Sequence, residues 1–248
     1  MTGNRRLLSC CAFTGRRTFL ATTAIASAVG LAGASLLTQT AHAAALTKDQ
    51  RDRLTPDDVI AQMKRGNERF RAGRLSKQDY LAQKRATAAG QYPAAVILSC
   101  IDSRAPAEIL VDAQLGDTFN ARVAGNIVND DVLGSLEFAC AVAGAKLVVV
   151  MGHTACGAIK GAIDDAQLGS LTGLLSKIKP AVDATRYEGD RSSKNDAFVD
   201  EVARTNVRQT ISAIRQGSAV LAGLEKEGKI KIVGSMYNLV GGRVDFLA

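Results

Sequence analysis

Two long apolar runs, each followed within two residues by a potential metal ligand, constrain this chain more than any other feature of its sequence. Ala94-Ala-Val-Ile-Leu-Ser leads directly into Cys100, and Lys146-Leu-Val-Val-Val-Met151 is followed by His153. Continuous apolar runs of this kind are typical of parallel strands that are buried on both faces. In an open α/β sheet, ligands bind outside the carboxyl ends of the strands, where the strand order switches. If the two strands are neighbours, Cys100 and His153 meet at that edge.

Strands and helices alternate along most of the chain. Thr55, with Pro56 in the first turn, marks a helix start, and the charged stretch 186–195 predicts a surface connection. The alternation predicts an α/β fold, a mostly parallel β-sheet flanked by helices, in a single domain over 55–248. The predicted helices cover 55–73, 78–88, 131–143, 157–165, 199–214 and 219–227; two further strands cover 118–123 and 229–233, and a turn with a short edge strand covers 237–246.

The first 43 residues form a separate segment. They carry four arginines and no Lys, Asp or Glu, then an apolar alanine-rich run, and they end in Ala41-His42-Ala43. This arrangement predicts a cleaved export signal over 1–43, followed by a polar lead-in over 44–54. The adjacent Arg16 and Arg17 resemble a twin-arginine signal, which implies the twin-arginine export machinery as a partner and a periplasmic or otherwise exported location. The alternative is an uncleaved membrane anchor.

Charge and cysteine content narrow the classes of function. The formal charge is +7, but loss of the four signal arginines lowers it to +3, so we expect no nucleic-acid partner. Cys100, Cys140 and Cys156 remain after the signal, and an odd number is a poor disulfide framework. Cys140 lies in an apolar stretch and is predicted to be a buried, inert thiol.

Cys100 and Cys156 are candidates for metal ligands. His153 stands three residues before Cys156 and is the one histidine after residue 43. Two thiolates and one imidazole can form a catalytic zinc site that keeps a fourth position open. A Cys100–Cys156 disulfide is the alternative. Asp102 is placed either as a fourth ligand or as a partner of a bound water, and Arg104 is placed to pair with its carboxylate.

Cys100-Ile-Asp102-Ser-Arg104 and His153-Thr-Ala-Cys156-Gly157 together resemble the β-class carbonic anhydrases, and the resemblance covers roughly residues 55–247. It implies one Zn²⁺ per chain, held by Cys100, His153 and Cys156. It also implies that Asp102 and Arg104 form a catalytic dyad, with Asp102 on the metal only in a closed form. The implied activity is the reversible hydration of carbon dioxide to bicarbonate and a proton.

The resemblance further implies a substrate pocket and an oligomer. Gln91, nine residues before Cys100, and the backbone amide of Gly157 are the implied hydrogen-bond donors to substrate, and Phe119 and Phe138 form an apolar wall. The implied assembly is an intertwined homodimer, or a dimer of dimers, whose active sites draw residues from both subunits.

Some family members use a tryptophan and an arginine in an inhibitory bicarbonate pocket, and this chain departs from them. It contains no Trp; Ile97 stands at the tryptophan position, while Arg122 matches the arginine. We therefore expect no such inhibition. Two alternative functions remain open: hydrolysis of a related heterocumulene, such as carbonyl sulfide or carbon disulfide, and a non-catalytic, zinc-stabilised structural or binding role.

Overall fold

The structure, a computed structural model, describes residues 45–247. The export signal predicted over 1–43 lies outside the described residues. Within 45–247, no helix is both long enough and apolar enough to cross a membrane.

A five-stranded sheet runs through the centre of the domain in the order β2-β1-β3-β4-β5. The first four strands are parallel, and β5 pairs antiparallel with β4. Their bounds are Ala95–Ser99 (β1), Thr118–Arg122 (β2), Leu147–His153 (β3), Lys231–Tyr237 (β4) and Val244–Phe246 (β5). The mostly parallel sheet predicted from the sequence is confirmed.

The strand order places the two motifs together. From β1 the chain adds β2 on one side of the sheet and β3 on the other, so the order switches between β1 and β3. Ser99 pairs with Met151 at this point. Cys100 directly follows the end of β1, and His153 is the last residue of β3. The crevice at such a switch point is the usual ligand site of an open α/β sheet.

Helices cover both faces of the sheet, because the side chains of each central strand alternate between two apolar cores. Val96, Leu98, Val148 and Val150 face a core built largely by α9, while Ile97 and its neighbours face a second core with α2. The helices are Lys48–Arg53 (α1), Pro56–Arg71 (α2), Tyr80–Thr87 (α3), Ala107–Leu110 (α4), Asp130–Glu137 (α5), Gly157–Ile163 (α6), Gly169–Leu175 (α7), Lys179–Ala184 (α8), Asp196–Gly217 (α9) and Ala219–Lys226 (α10).

Two glycines let α9 lie close to the sheet. A Cβ on Gly152 in β3 or on Gly234 in β4 would come within 2.8 Å of a methyl carbon of Val207. A side chain at either position would have to displace Val207. The place of α9 over the carboxyl end of β3 is therefore fixed by packing.

The lead-in at 44–54 contains a helix that belongs to the domain. Thr47 caps α1 in a reciprocal capping box with Gln50. Arg51 is 4% exposed, and its guanidinium donates a hydrogen bond to the carbonyl oxygen of Ala143, just beyond the π-helical turn that follows α5. The polar composition of this segment gave no sign that the Arg51 side chain would be buried and would anchor α1.

Three other parts of the fold differ from the sequence prediction. Helices α4, α7 and α8 were not predicted, and β4 covers 231–237 instead of 229–233. The predicted helix over 131–143 is α5 followed by a π-helical turn at Phe138–Val142. None of these differences moves the carboxyl ends of β1 and β3.

Candidate metal centre

Cys100, His153 and Cys156 converge at the switch point. Their ligand atoms all lie within 4.8 Å of one another, and all three residues are buried. The two Sγ atoms are 4.0 Å apart, about twice the length of a disulfide bond, and both cysteines are free thiols. The structure thus contains the predicted set of ligands and not the alternative disulfide.

The imidazole of His153 is oriented toward this cluster. Its Nδ1 lies 2.9 Å from the carbonyl oxygen of Thr154, a hydrogen bond that places the ring proton on Nδ1. Its Nε2 is buried and has no hydrogen-bond partner among the described residues. A buried polar atom without a partner has a considerable desolvation cost. A Zn²⁺ bound by Nε2 and the two sulfurs removes that cost, so these residues fit the metal that the motif implies.

The surroundings of the two thiols shift their pKa values in opposite directions. The neighbouring Cys156 thiol, the nearby His153 imidazole and the Gly125 N–H outweigh burial and lower the pKa of Cys100 to about 4. The hydrogen bond to Cys100 and burial raise the pKa of Cys156. Burial lowers the pKa of His153, but the adjacent Cys100 thiolate outweighs it and the net shift is upward. A bound cation favours ionisation of both thiols.

Asp102 points into the cluster but is held by Arg104. Its Oδ1 accepts hydrogen bonds from the Arg104 backbone N–H at 2.9 Å and from Nε at 3.0 Å, while its Oδ2 accepts one from Nη2 at 2.8 Å. These bonds lower the pKa of Asp102, so the carboxylate stays ionised. Its Oδ2 remains 3.9 Å from Nε2 of His153. The predicted dyad is therefore assembled next to the ligands, with the carboxylate turned toward the guanidinium.

Arg122, at the end of β2, fixes the backbone of the first motif. Its Nε donates to the carbonyl oxygen of Cys100 at 3.0 Å, and its Nη2 donates to that of Asp102 at 2.6 Å. The sequence indicated Arg122 only as the match to an arginine in a bicarbonate pocket. In the structure, its guanidinium instead spans the two carbonyls that flank Ile101.

The second motif is held by a residue that the sequence did not indicate. Ala155 adopts a left-handed conformation with φ of 51°, and its N–H donates to Oδ1 of Asp200 on α9 at 2.9 Å. The hydroxyl oxygen of Thr154 accepts from the Leu239 N–H at 3.0 Å. Both contacts stabilise the sharp turn that brings Cys156 back beside His153. The one signal for Asp200 in the sequence was its place on a predicted helix.

Of the four predicted substrate-binding residues, Gly157 alone lies beside the ligands. It is the first residue of α6, directly after Cys156, and a Cβ there would meet nothing within 4 Å. Phe119 pairs with Val96 near the start of β1, about 13 Å along the strand from Cys100 at 3.3 Å per residue. Phe138 contacts Phe119 edge-on, with ring centroids 6.1 Å apart.

Gln91 lies in the loop that leads into β1, at the opposite end of that strand from Cys100. Within one subunit the structure therefore separates Gln91, Phe119 and Phe138 from the metal ligands.

Two mycobacterial proteins are similar to this chain over most of its length. Carbonic anhydrase 2 of Mycobacterium tuberculosis is 38% identical over 187 residues, which cover 73% of this chain and 87% of that protein. The carbonic anhydrase of Mycolicibacterium smegmatis is 35% identical over 189 residues, covering 74% and 89%.

Solved structures of β-carbonic anhydrases share the fold. An enzyme of Aspergillus fumigatus superposes with a TM-score of 0.62 at 26% identity, covering 77% of this chain and 91% of that one. A structure from work on two tetrameric β-carbonic anhydrases of Sordaria macrospora gives a TM-score of 0.57 at 27% identity, covering 65% and 83%.

Fold and site together define an α/β enzyme with a zinc centre of two thiolates and one imidazole. The sequence model of the carbonic anhydrase family matches residues 95–244. The chain belongs to the carbonic anhydrase family, in its β class, and catalyses the zinc-dependent reversible hydration of carbon dioxide.

Proposed function

We propose that Cys100, His153 and Cys156 hold the zinc, and that Asp102 and Arg104 are the catalytic dyad for carbon dioxide hydration. The observation that carries this assignment is the position of the Asp102 carboxylate. It lies within reach of the ligand cluster, and three hydrogen bonds from Arg104 hold it away from a direct metal bond. A closed structural zinc site has no need for such a restraint.

Each residue then has a distinct task. When bound, zinc acidifies a water molecule so that it can attack carbon dioxide near neutral pH. The ionised Asp102 carboxylate accepts an O–H from the attacking water and orients its free lone pair toward the carbon. Arg104 keeps that carboxylate ionised and in place. The Gly157 N–H, in the first turn of α6, has no partner within the helix and can donate to an oxygen of the forming bicarbonate.

The released proton leaves without a histidine relay, because His153 is the one histidine after residue 43 and is committed to zinc. Transfer through water to buffer is then the remaining route. A stopped-flow assay on the zinc-loaded protein tests the proposed chemistry, with carbonyl sulfide run in parallel. Rapid hydration that depends on zinc supports the proposal. Rapid hydrolysis of carbonyl sulfide without hydration of carbon dioxide would contradict it.

We infer that the rest of the substrate pocket comes from a second copy of this chain. In its own subunit, Gln91 lies at the opposite end of β1 from Cys100, and Phe119 is held in β2 beside the start of β1. Phe138 is 52% exposed, and its partner Phe119 lies on β2, the edge strand of the sheet. A homodimer formed along this edge, alone or as a dimer of dimers, covers the aromatic pair and brings these residues to the partner's zinc.

Mixed dimers provide a direct test. Gln91→Ala should lower hydration while zinc stays bound, and Cys156→Ser should lose zinc. When the two impaired variants are co-expressed, each hybrid dimer has one zinc site that faces an intact Gln91 of the other subunit. We expect activity to recover in the isolated hybrid, measured by stopped flow on differentially tagged dimers. A hybrid as inactive as its parents would mean that Gln91 acts in its own subunit.

We also propose export through the twin-arginine route. The support is the leader itself: adjacent arginines, an apolar run and the end Ala41-His42-Ala43. This route carries folded proteins, so zinc is inserted and the thiolates are shielded before the enzyme meets an oxidising compartment.

Changing Arg16 and Arg17 to lysine should leave the enzyme in the cytoplasm with its leader attached, because the charge is kept but the recognised pair is lost. Fractionation and intact mass measure both effects. The matched control changes Arg5 and Arg6 to lysine, which should leave export unaltered. Equal periplasmic recovery of the two variants would refute this reading of the leader.

A further inference from the structure

A backbone amide donates to one of the two metal-binding sulfurs. The N–H of Gly125 lies 3.4 Å from Sγ of Cys100. Gly125 is the middle residue of the turn Ala124–Asn126 and has φ of 69°. A Cβ at this position would meet Cδ1 of Ile178 at 2.5 Å. Glycine is therefore required both by the backbone conformation and by the space, and the turn brings its N–H to the sulfur.

The same glycine is anchored from α9. Asn206 is 3% exposed, and its Nδ2 donates to the carbonyl oxygen of Gly125 at 2.8 Å. Its neighbour Val207 packs over Gly152 and Gly234, so α9 is seated on the sheet at this level. Asn206 thus connects a rigid helix to the residue that contacts Cys100. It touches no ligand itself.

We infer that Asn206 is a positioning residue for the Cys100 thiolate. By fixing Gly125, it directs an N–H to a sulfur that also binds the metal, an inference that rests on Cys100 being a zinc ligand. A hydrogen bond to a coordinated thiolate draws electron density from sulfur and orients its lone pairs. Two thiolates donate more charge to zinc than imidazoles do, and this contact reduces the donation of one of them.

The test uses the full-length enzyme loaded with Co²⁺, whose sulfur-to-cobalt charge-transfer bands report the electron density on the thiolates. Asn206→Leu keeps the size of the side chain and removes its donor. We expect the bands to move to longer wavelength, because the sulfur regains electron density. We expect the dissociation constant for zinc, measured by chelator competition, to rise about 10- to 100-fold, because the thiolate is no longer held in position.

The matched control is Asn67→Leu. Asn67 is also a buried asparagine, 4% exposed, whose Nδ2 donates to backbone carbonyl oxygens, here those of Leu110 and Gly242. Asn67→Leu should lower thermal stability about as much as Asn206→Leu does, but it should leave the cobalt spectrum and the zinc affinity unchanged. Equal spectra for wild type and Asn206→Leu, at full cobalt occupancy, would overturn the inference.

A second measurement needs no variant, in case Asn206→Leu does not fold. Wild-type enzyme loaded with ¹¹³Cd should show a scalar coupling between the metal and the amide proton of Gly125, transmitted through Sγ of Cys100. Absence of that coupling overturns the inference. Absence of any sulfur-to-metal band in the wild type would instead refute the ligand assignment, so the two failures are distinguishable.

Discussion

Cys156→Ser should lose both zinc and carbon dioxide hydration. Serine keeps the shape of the side chain, but its hydroxyl does not ionise near neutral pH and is a poor replacement for a thiolate. The remaining pair, Cys100 and His153, leaves zinc with two protein ligands. Elemental analysis of the purified variant should show little or no zinc, and stopped-flow hydration should fall to the uncatalysed rate.

Cys140→Ser is the matched control. Cys140 is as buried as the ligands, but it lies outside the cluster, and burial raises the pKa of its thiol to about 12. Its replacement puts a hydroxyl into an apolar site and should lower stability by about 1–3 kcal/mol while zinc is retained. Full zinc occupancy in Cys156→Ser, or zinc loss in Cys140→Ser, would show that the ligands have been assigned wrongly.

Arg104→Ala should abolish most of the activity while zinc stays bound. Without the guanidinium, Asp102 loses the two side-chain hydrogen bonds that hold it. Its Oδ2 already lies 3.9 Å from the metal-facing Nε2 of His153, so a small rotation brings it onto the zinc and fills the open position. We expect hydration to fall by about 100-fold or more. X-ray absorption should show a carboxylate oxygen in the place of water.

Arg215→Ala is the matched control, because it also removes a bidentate arginine–carboxylate ion pair. Arg215 donates to the Glu225 carboxylate from Nε at 2.7 Å and from Nη2 at 2.8 Å, a geometry similar to that of Arg104 and Asp102. Its removal should leave both the rate and the metal spectrum unchanged. Near-normal hydration in Arg104→Ala would show that Arg104 does not restrain Asp102 and that other contacts position this carboxylate.

The parts of the fold that could be predicted are those whose structure is determined by their local sequence pattern. β1 and β3 are continuous apolar runs because both of their faces are covered, and their ends gave the positions of Cys100 and His153. Strand β4 was misplaced because Gly234 and Ser235 interrupt its apolar pattern. Gly234 is small because α9 approaches closely there, and Ser235 is fully buried, both of which are tertiary effects.

Helices α7 and α8 are short and rich in glycine or proline, so their own sequence favours them weakly. They are stabilised by the packing of Leu175, Ile178 and Ala181 into the main core. Dependence on tertiary contacts also explains which residues of the site the sequence did not indicate. Cys100, His153 and Cys156 were identifiable from their type and spacing, whereas Asp200 and Asn206 act on backbone groups 45 and 81 residues away.

The buried guanidinium of Arg51 limits how far the amino terminus can be trimmed. It satisfies the Ala143 carbonyl, and Gly144 has no side chain to occupy the space that the guanidinium fills. A recombinant product that starts at Thr55 would lose this side chain and leave the Ala143 carbonyl, at the end of the π-helical turn, without its donor. A cut downstream of Thr47 would remove the cap of α1, whereas the proposed cleavage after Ala43 leaves both this cap and Arg51 in place.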